Sequence, residues 1–367
     1  MPRLGFCLLL IGVVRLQALS LLTYNVAGNG TTDWSTNSPQ VQAIGRQMTF
    51  LRPDVIAFNE IPFTNTWQMA NFVTAYLPGY FLVTNSATDG FIRSAIVSRY
   101  PITRSKSWLH SADLAPFGHT NADFTRDLFE AEIDVPGSSQ HLHVFVTHLK
   151  ALADAASSGR RAAEASAISN FFVNGFLTTN GNRPYVLAGD LNEDVARPPS
   201  SSRGPIQRLV NTATGLQLTT PTNPITGREF TYSIRGSLNS RLDYILPGAA
   251  LASNIVSSQV FRTDLLAPMP PGLQALDDEA ASDHLPVLMV FNNPYDVPFR
   301  LTSFALSNGV ARLAWQSAFQ RQYRVEASSN FVAWAPLVTN LTATTTNVSW
   351  TGAVSAPLQF FRVHRTP

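Results

Sequence analysis

The pentapeptide Ser282-Asp283-His284-Leu285-Pro286 decides the interpretation of this 367-residue chain. It places an acidic residue directly before a histidine, and a histidine held near carboxylates is suited to taking a proton from water. An apolar run follows as far as residue 291, which predicts a strand with these polar residues at its entrance. The stretch therefore predicts one half of a metal-dependent hydrolytic site at the end of a sheet.

Five more short polar sequences lie upstream, and each one ends or follows an apolar run, as polar side chains at the mouths of strands do. Alone, each is a weak signal, since a Gly-Asp-Leu-Asn sequence is most often a turn. Their conjunction in one order across residues 19–291 makes the signal specific. They are Thr23-Tyr24-Asn25-Val26, Phe58-Asn59-Glu60, Thr147-His148-Leu149, Gly189-Asp190-Leu191-Asn192 and Arg241-Leu242-Asp243-Tyr244-Ile245.

Together these sequences resemble the endonuclease/exonuclease/phosphatase superfamily, to which DNase I belongs. The resemblance implies a metal-dependent phosphoric ester hydrolase. It also implies an α/β fold of the DNase I type, a four-layer α/β/β/α sandwich with the site at one end of its two sheets.

The resemblance and the chemistry of phosphodiester hydrolysis give each polar residue a predicted role. Glu60 is the principal metal ligand, with Asn25 and Asp283 as further ligands, because carboxylate and amide oxygens suit Mg²⁺, with Mn²⁺ as the alternative cation. The chain has one cysteine and no cluster of cysteines that would favour zinc. His284 is the predicted general base toward water, and Asp243 fixes its tautomer and stabilises the imidazolium.

Four further residues complete the predicted site. His148 donates a hydrogen bond or a proton on the side of the leaving group. Asp190 and Asn192 contribute to the same cation or to a second metal position, and Asp190 alternatively orients the water or the phosphate. Arg126, which precedes a predicted central strand, contacts phosphate bidentately; an ordinary exposed arginine is the alternative.

Two departures from the family pattern leave the substrate open. Asn59 stands where the family usually has glutamine, and Pro62 stands where nucleases of the DNase I type carry an arginine used on DNA. Nucleic acid is the first expectation, and a phospholipid or a small phosphate ester is the alternative. An inactive member kept as a surface-binding module is disfavoured, because five catalytic-type residues are intact: Glu60, Asp190, Asn192, Asp243 and His284.

Charge is divided unevenly along the chain. Between residues 16 and 298 there are 18 lysines and arginines against 23 acidic residues, whereas six arginines and the single acid Glu326 follow residue 298. The catalytic part is therefore acidic and lacks the broad cationic surface that is typical of nonspecific nucleic-acid binding. The basic tail favours contact with a polyanion or a cell surface; a packing appendix without a ligand is the alternative.

Composition divides the chain into three predicted segments. Residues 1–18 are a signal peptide, because the apolar run over residues 4–14 follows Arg3, is too short to span a membrane and precedes small residues; a buried strand is the alternative. Residues 19–293 form the catalytic domain, and residues 299–367 form a small β-sandwich module of short alternating runs. We expect a secreted or extracytoplasmic monomer with no stable membrane span and, because Cys7 lies in the leader, no disulfide.

Hydrophobic periodicity predicts the elements that carry these motifs. One helix begins at Ser38-Pro39 and ends at Arg52-Pro53, and a second runs from about residue 160 to residue 172. Strands are predicted over residues 19–26, 54–58, 91–97, 128–133, 142–146, 185–188, 241–246 and 285–291.

Overall fold

The computed structural model describes residues 18–28, 33–181, 183–196, 204–233, 238–297, 300–318, 320–354 and 359–365. Nearly all of the predicted signal peptide, residues 1–17, lies outside the described residues. The chain divides into two compact units. The larger contains Ala18–Asp134 and Gln140–Asn292, and the smaller contains Val135–Ser139 and the chain from Asn293 onward. Among the described residues, no helix combines the length and the apolar character that crossing a membrane requires.

Two sheets form the centre of the larger unit. The first contains β1 (Ala18–Asn25), β2 (Val55–Pro62), β3 (Phe81–Thr84), β4 (Ile92–Ser98), β10 (Ile255–Val260) and β11 (Val287–Asn292), in the order β10-β11-β1-β2-β4-β3. The second contains β5 (Ile102–Trp108), β6 (Leu128–Ile133), β7 (Leu142–His148), β8 (Tyr185–Asp190) and β9 (Asp243–Pro247), in sequence order. The pairs β1–β2 and β7–β8 are parallel, and the other pairs are antiparallel.

Seven α-helices lie in the described part of the larger unit. They are α1 (Pro39–Leu51), α2 (Gln68–Tyr76), α3 (Ala155–Phe171), α4 (Leu177–Asn180), α5 (Pro205–Leu209), α6 (Ala249–Ala252) and α7 (Asp277–Ala281), with a π-helical turn over Phe172–Phe176 and a 3₁₀ turn over Ala115–Phe117. Helix α1 has the predicted proline in its first turn, and it ends at Leu51; Arg52, which caps it directly before Pro53, has a left-handed φ of 42°.

The alternation of side chains along the strands produces the layers. On β1, Leu22 and Tyr24 pack with residues of α1 and α2 in one apolar cluster, whereas on β7 and β8 the side chains of Phe145 and Leu187 pack with Ile168 of α3 in another. The intervening residues point to the opposite faces, where the two sheets meet. The four-layer α/β/β/α sandwich is therefore confirmed.

The smaller unit is all-β in its described part, as predicted. Its strands are β12 (Arg300–Ser307), β13 (Val310–Gln316), β14 (Gln322–Ser328), β15 (Ala335–Thr342), β16 (Asn347–Ala353) and β17 (Phe360–Arg365), which form two antiparallel sheets ordered β12-β13-β16 and β15-β14-β17. A core that includes Leu313, Val325 and Phe361 holds them together, and the rings of Trp315 and Tyr323 lie 5.6 Å apart in it.

Most of the basic charge in this unit is neutralised inside it. Two arginines pair with the buried Asp296 at 2.7 and 2.6 Å, and two more pair with Glu326 at 3.1 and 2.6 Å. Arg300 and Arg312 stay outside these pairs and are exposed. The predicted polyanion contact therefore depends on fewer charges than composition indicated. The four paired residues are Arg321, Arg365, Arg324 and Arg362.

Candidate active site

The predicted polar residues come together where strands of the two sheets end. His148 is the last residue of β7, Asp190 is the last of β8, and Asp243 is the first of the antiparallel β9, so the three lie side by side in one row. Asn25 ends β1 in the other sheet, and His284 lies just before β11, which pairs with β1. The sheet pairing alone therefore brings these five residues to one edge of the sandwich.

Glu60 reaches the same edge through an irregularity in β2. The pairing of β2 with β4 shifts its register between Phe58 and Ile61, and Glu60 has a left-handed φ of 62°. A bulge of this kind redirects one side chain out of the regular alternation, and it is frequent beside active sites. The side chain of Glu60 is 26% exposed, whereas that of Asp190 is 2% exposed, so Glu60 is the carboxylate that faces the solvent.

Asn25 lies at the centre of the cluster. Its Nδ2 donates to Glu60 Oε1 at 3.0 Å and to Asp190 Oδ2 at 2.9 Å, and it lies 3.4 Å from His284 Nε2. Its Oδ1 accepts a hydrogen bond from the Ala27 amide at 3.0 Å. In this orientation the amide holds the two carboxylates together, and the predicted role of Asn25 as a metal ligand needs the opposite amide orientation.

Two overlapping groups of residues have the composition of a cation site. The ligand atoms of Glu60, His148 and Asp190 lie within 4.8 Å of one another, and so do those of Asp190, Asp243 and His284. Carboxylate oxygens at this separation suit a hard divalent cation that keeps several waters, so the residues fit the predicted Mg²⁺. Asp283, the other predicted ligand, belongs to neither group in the described part of the chain.

The imidazole of His284 is held in one orientation by its neighbours. His284 Nδ1 lies 2.8 Å from Asp243 Oδ2, and the His284 backbone amide donates to Ser282 Oγ at 3.0 Å. An ionised carboxylate only accepts, so Nδ1 carries the proton and Nε2 points to the cluster, 3.7 Å from Asp190 Oδ2. The ring of Tyr232 covers the imidazole with its centroid 4.8 Å away.

Charge around His284 favours its protonated form. Burial by itself lowers the pKa of His284, but the carboxylates of Asp243, Asp190 and Asp283 outweigh this effect and raise the pKa to about 10. Burial in turn raises the pKa of Asp190, although the positive charge of His284 opposes this shift. Anything that neutralises these carboxylates lowers the pKa of His284 toward the range in which a histidine accepts protons.

His148 has the opposite protonation state. Burial, together with the positive charges of Arg126 and His284, holds the pKa of His148 well below its usual range. Its Nε2 lies 3.5 Å from Asp190 Oδ2 and 3.8 Å from Glu60 Oε1. A neutral histidine donates a hydrogen bond more readily than it gives up a proton, so the lowered pKa of His148 favours the hydrogen bond of its two predicted roles.

The side chains of Arg126 and Asn192 donate hydrogen bonds to backbone carbonyls at the end of β7. Arg126 donates from Nη1 to the carbonyls of His148 (3.0 Å) and Leu149 (3.2 Å), and its Nη2 pairs with Asp89 at 2.7 Å. Asn192 donates from Nδ2 to the same Leu149 carbonyl at 3.1 Å. A bidentate contact of Arg126 with phosphate, as predicted, therefore requires these bonds to be exchanged.

Asn59 and Gly189 are site residues whose roles the sequence did not reveal. Asn59 connects the two sheets, because its Oδ1 accepts from the Asp190 backbone amide at 3.0 Å and its Nδ2 donates to Ser94 Oγ at 3.2 Å. Gly189 has a φ of 137°, and a Cβ there would lie 2.0 Å from the Thr147 carbonyl oxygen and 2.9 Å from Asn59 Oδ1. The glycine of the Gly-Asp-Leu-Asn sequence was the available signal for this close approach.

Gly189→Ala is expected to lower the free energy of unfolding by about 3 kcal/mol, since it combines backbone strain with overpacking. Gly79→Ala is the matched control, because Gly79 has a φ of 86° but nothing within 4 Å of its added Cβ. The control is expected to cost about 1 kcal/mol, from the backbone alone. Urea unfolding of both variants checks this, and equal losses would contradict the contact argument.

The residues of the candidate site lie within one region that matches a known family. The model of the Endonuclease/Exonuclease/phosphatase family matches residues 22–284, a span that contains every residue of the candidate site. The chain belongs to this family. Membership of the family supports a phosphodiester hydrolase. Comparison with the curated proteins gives no match.

Solved structures of the family share the fold. An endonuclease/exonuclease/phosphatase from Beutenbergia cavernae is 18% identical, with a TM-score of 0.54 over 96% of this chain and 100% of that one. Truncated Caenorhabditis elegans TDP2 is 12% identical (TM-score 0.52, covering 75% and 98%), and a family protein from Leptotrichia buccalis is 16% identical (TM-score 0.51, covering 74% and 98%). At these identities the likeness shows the DNase I-like fold alone.

Proposed function

We propose that this protein is a secreted, Mg²⁺-dependent phosphodiesterase whose substrate is nucleic acid. The observation that carries the proposal is the His284–Asp243 pair, joined at 2.8 Å, facing the Glu60, Asp190 and Asn25 cluster. This is the pairing of an oriented histidine with hard oxygen ligands that hydrolysis of a phosphodiester requires. Mn²⁺ is the alternative cation.

Each residue then has a role that follows from its contacts. Glu60 and Asp190 would hold the cation, which when bound neutralises the phosphate oxygens and the surrounding carboxylates. His284 takes the proton of the attacking water at Nε2, and Asp243 keeps the proton on Nδ1 and stabilises the imidazolium. Neutral His148 donates a hydrogen bond on the side of the leaving oxygen.

Two exposed aromatic side chains favour nucleic acid as the substrate. Trp67 and Phe91 are each 66% exposed, Trp67 in the loop after β2 and Phe91 just before β4, and bases of a single strand stack on such side chains. The related Danio rerio TDP2, 15% identical with a TM-score of 0.50, has been solved with a single-strand DNA product. The acidic excess of the larger unit instead favours a small phosphate ester or a phospholipid, which is the second candidate.

The direct test is hydrolysis of a panel of substrates with Mg²⁺: single-stranded and plasmid DNA, RNA, sphingomyelin and bis-p-nitrophenyl phosphate. We expect cleavage of the small diester and of nucleic acid, with single strands cleaved fastest. Cleavage of sphingomyelin alone would replace the proposed substrate by the second candidate. Absence of all hydrolysis would favour the inactive surface-binding alternative.

We propose that residues 1–18 direct secretion, and that the smaller unit contacts a polyanion or a cell surface through its exposed arginines, Arg300 and Arg312. We also propose that the protein acts as a monomer.

A further inference from the structure

Two charged side chains of α3 are buried and contact segments that flank the candidate site. The side chain of Arg161 is 4% exposed and that of Glu164 is 0% exposed, and their spacing of three residues places them on the same side of the helix. Buried charges are costly unless hydrogen bonds satisfy them. Arg160 lies 3.7 Å from the Glu164 carboxylate, and Ser158 accepts from Arg161, but most of their hydrogen bonds reach segments that carry the site.

Glu164 joins two of these segments through one carboxylate. Its Oε1 accepts hydrogen bonds from the Thr125 amide at 2.9 Å and from the Thr125 hydroxyl, and its Oε2 accepts from the Lys150 amide at 2.8 Å. Thr125 directly precedes Arg126, and Lys150 lies two residues after His148. The carboxylate therefore fixes the approach to β6 against the exit from β7.

Arg161 joins the exit from β7 to the exit from β8. Its Nη1 donates to the carbonyls of Lys150, at 2.9 Å, and Leu152, and its Nε lies 3.2 Å from Glu193 Oε2. Glu193 directly follows Asn192. The backbone of Lys150 is thus held on both sides, its N–H by Glu164 and its C=O by Arg161.

The chain over residues 149–152 is neither helix nor strand, so no regular hydrogen-bond ladder holds it, and the α3 side chains supply the described bonds of the Lys150 backbone. We propose that Arg161 and Glu164 are positioning residues, and that this α3 pair fixes His148 and Asn192 for phosphodiester hydrolysis. The inference rests on the proposed function for its catalytic consequence. Neither side chain contacts the predicted reacting atoms. Both act through the backbone next to the site residues His148 and Asn192.

The test compares Glu164→Gln and Arg161→Ala with a matched control, Glu132→Gln. Glu132 is also a carboxylate with several partners, Arg104 at 3.0 Å, Arg183 at 3.1 Å and His141 at 2.7 Å, but it lies near the opposite end of β6, roughly 15 Å away. Two quantities are measured for each protein: kcat and KM on bis-p-nitrophenyl phosphate with Mg²⁺, and hydrogen exchange over residues 148–152. Arg161→Lys is the conservative variant if Arg161→Ala does not fold.

We expect both α3 variants to lose about 10–100-fold in kcat with KM nearly unchanged, as supporting residues of a site typically do. Exchange over residues 148–152 should accelerate in both, and guanidinium ion should partly restore kcat in Arg161→Ala. The control should keep kcat and exchange within about twofold of wild type. Unchanged kcat in active α3 variants, or unchanged exchange in these variants, would overturn the inference. If the wild type lacks hydrolytic activity, the proposed function fails, and the exchange result still decides whether the pair positions the segment.

Discussion

His284→Ala is expected to lower kcat by about 10²–10⁴-fold, which is the usual loss when a general base is removed. His284 Nδ1 is bonded to Asp243, so its Nε2 is the nitrogen directed at the cluster of Asn25 and Asp190. Alanine removes that nitrogen and leaves the strand pairing around it intact. Steady-state kinetics on bis-p-nitrophenyl phosphate measure the loss, and circular dichroism checks that the variant is folded.

Asp243→Asn serves as a companion variant with a different signature. The Asp243 carboxylate is among the charges that raise the pKa of His284 to about 10, so asparagine lowers this pKa. A base is active when deprotonated, and the acidic limb of the kcat–pH profile should therefore move to lower pH. The plateau should also fall, because an amide no longer fixes the tautomer. A limb that stays in place would contradict the assignment of His284 as the base.

The residues at regular strand ends were predictable from the sequence. Asn25, His148 and Asp190 end strands that are buried on both faces, so the polar residue that follows each apolar run marks the edge of the sheet. The proline of Ser38-Pro39 likewise marked the beginning of α1. These signals come from residues that are adjacent in the sequence, so they do not depend on tertiary contacts.

Two strands that lack a clear apolar pattern were not predicted from the sequence. Strand β5 over Ile102–Trp108 is exposed along most of its length, and β10 over Ile255–Val260 contains serines and a glutamine, so neither shows the run that predicts a buried strand. Strand β9 was predicted to begin at residue 241 but begins at Asp243. The Thr231 hydroxyl accepts hydrogen bonds from the Leu242 amide, one residue before the strand, and from the Asp243 amide.

The finer geometry of the site depends on contacts between residues far apart in the chain. The bulge that redirects Glu60 arises from pairing with β4, and the amide of Asn25 is oriented by Glu60 and by Asp190, which is 165 residues away. The burial of Arg126 against Asp89 is likewise a tertiary effect. Motif spacing predicts which residues meet, whereas their hydrogen-bond partners follow from the assembled sheets.

Glu60→Ala is expected to raise the Mg²⁺ concentration needed for half-maximal activity by at least about 10–100-fold, since even residues that only support metal ligands cost that much. Glu60 is the most solvent-accessible carboxylate of its three-residue group and has no ion pair with an arginine or lysine in the described part of the chain. Asp283→Ala is the comparison, because its carboxylate lies outside both groups. A larger shift for Asp283→Ala would restore Asp283 as the principal ligand and contradict the role given to Glu60.

The most direct test of the central claim is the hydrolysis rate of bis-p-nitrophenyl phosphate by the wild-type protein as its divalent cations are removed and restored. We predict activity with Mg²⁺, its loss in EDTA, and its recovery when Mg²⁺ is added in excess of the chelator. Hydrolysis that continues unchanged in EDTA would contradict a metal-dependent phosphodiesterase built on Glu60, Asp190 and His284.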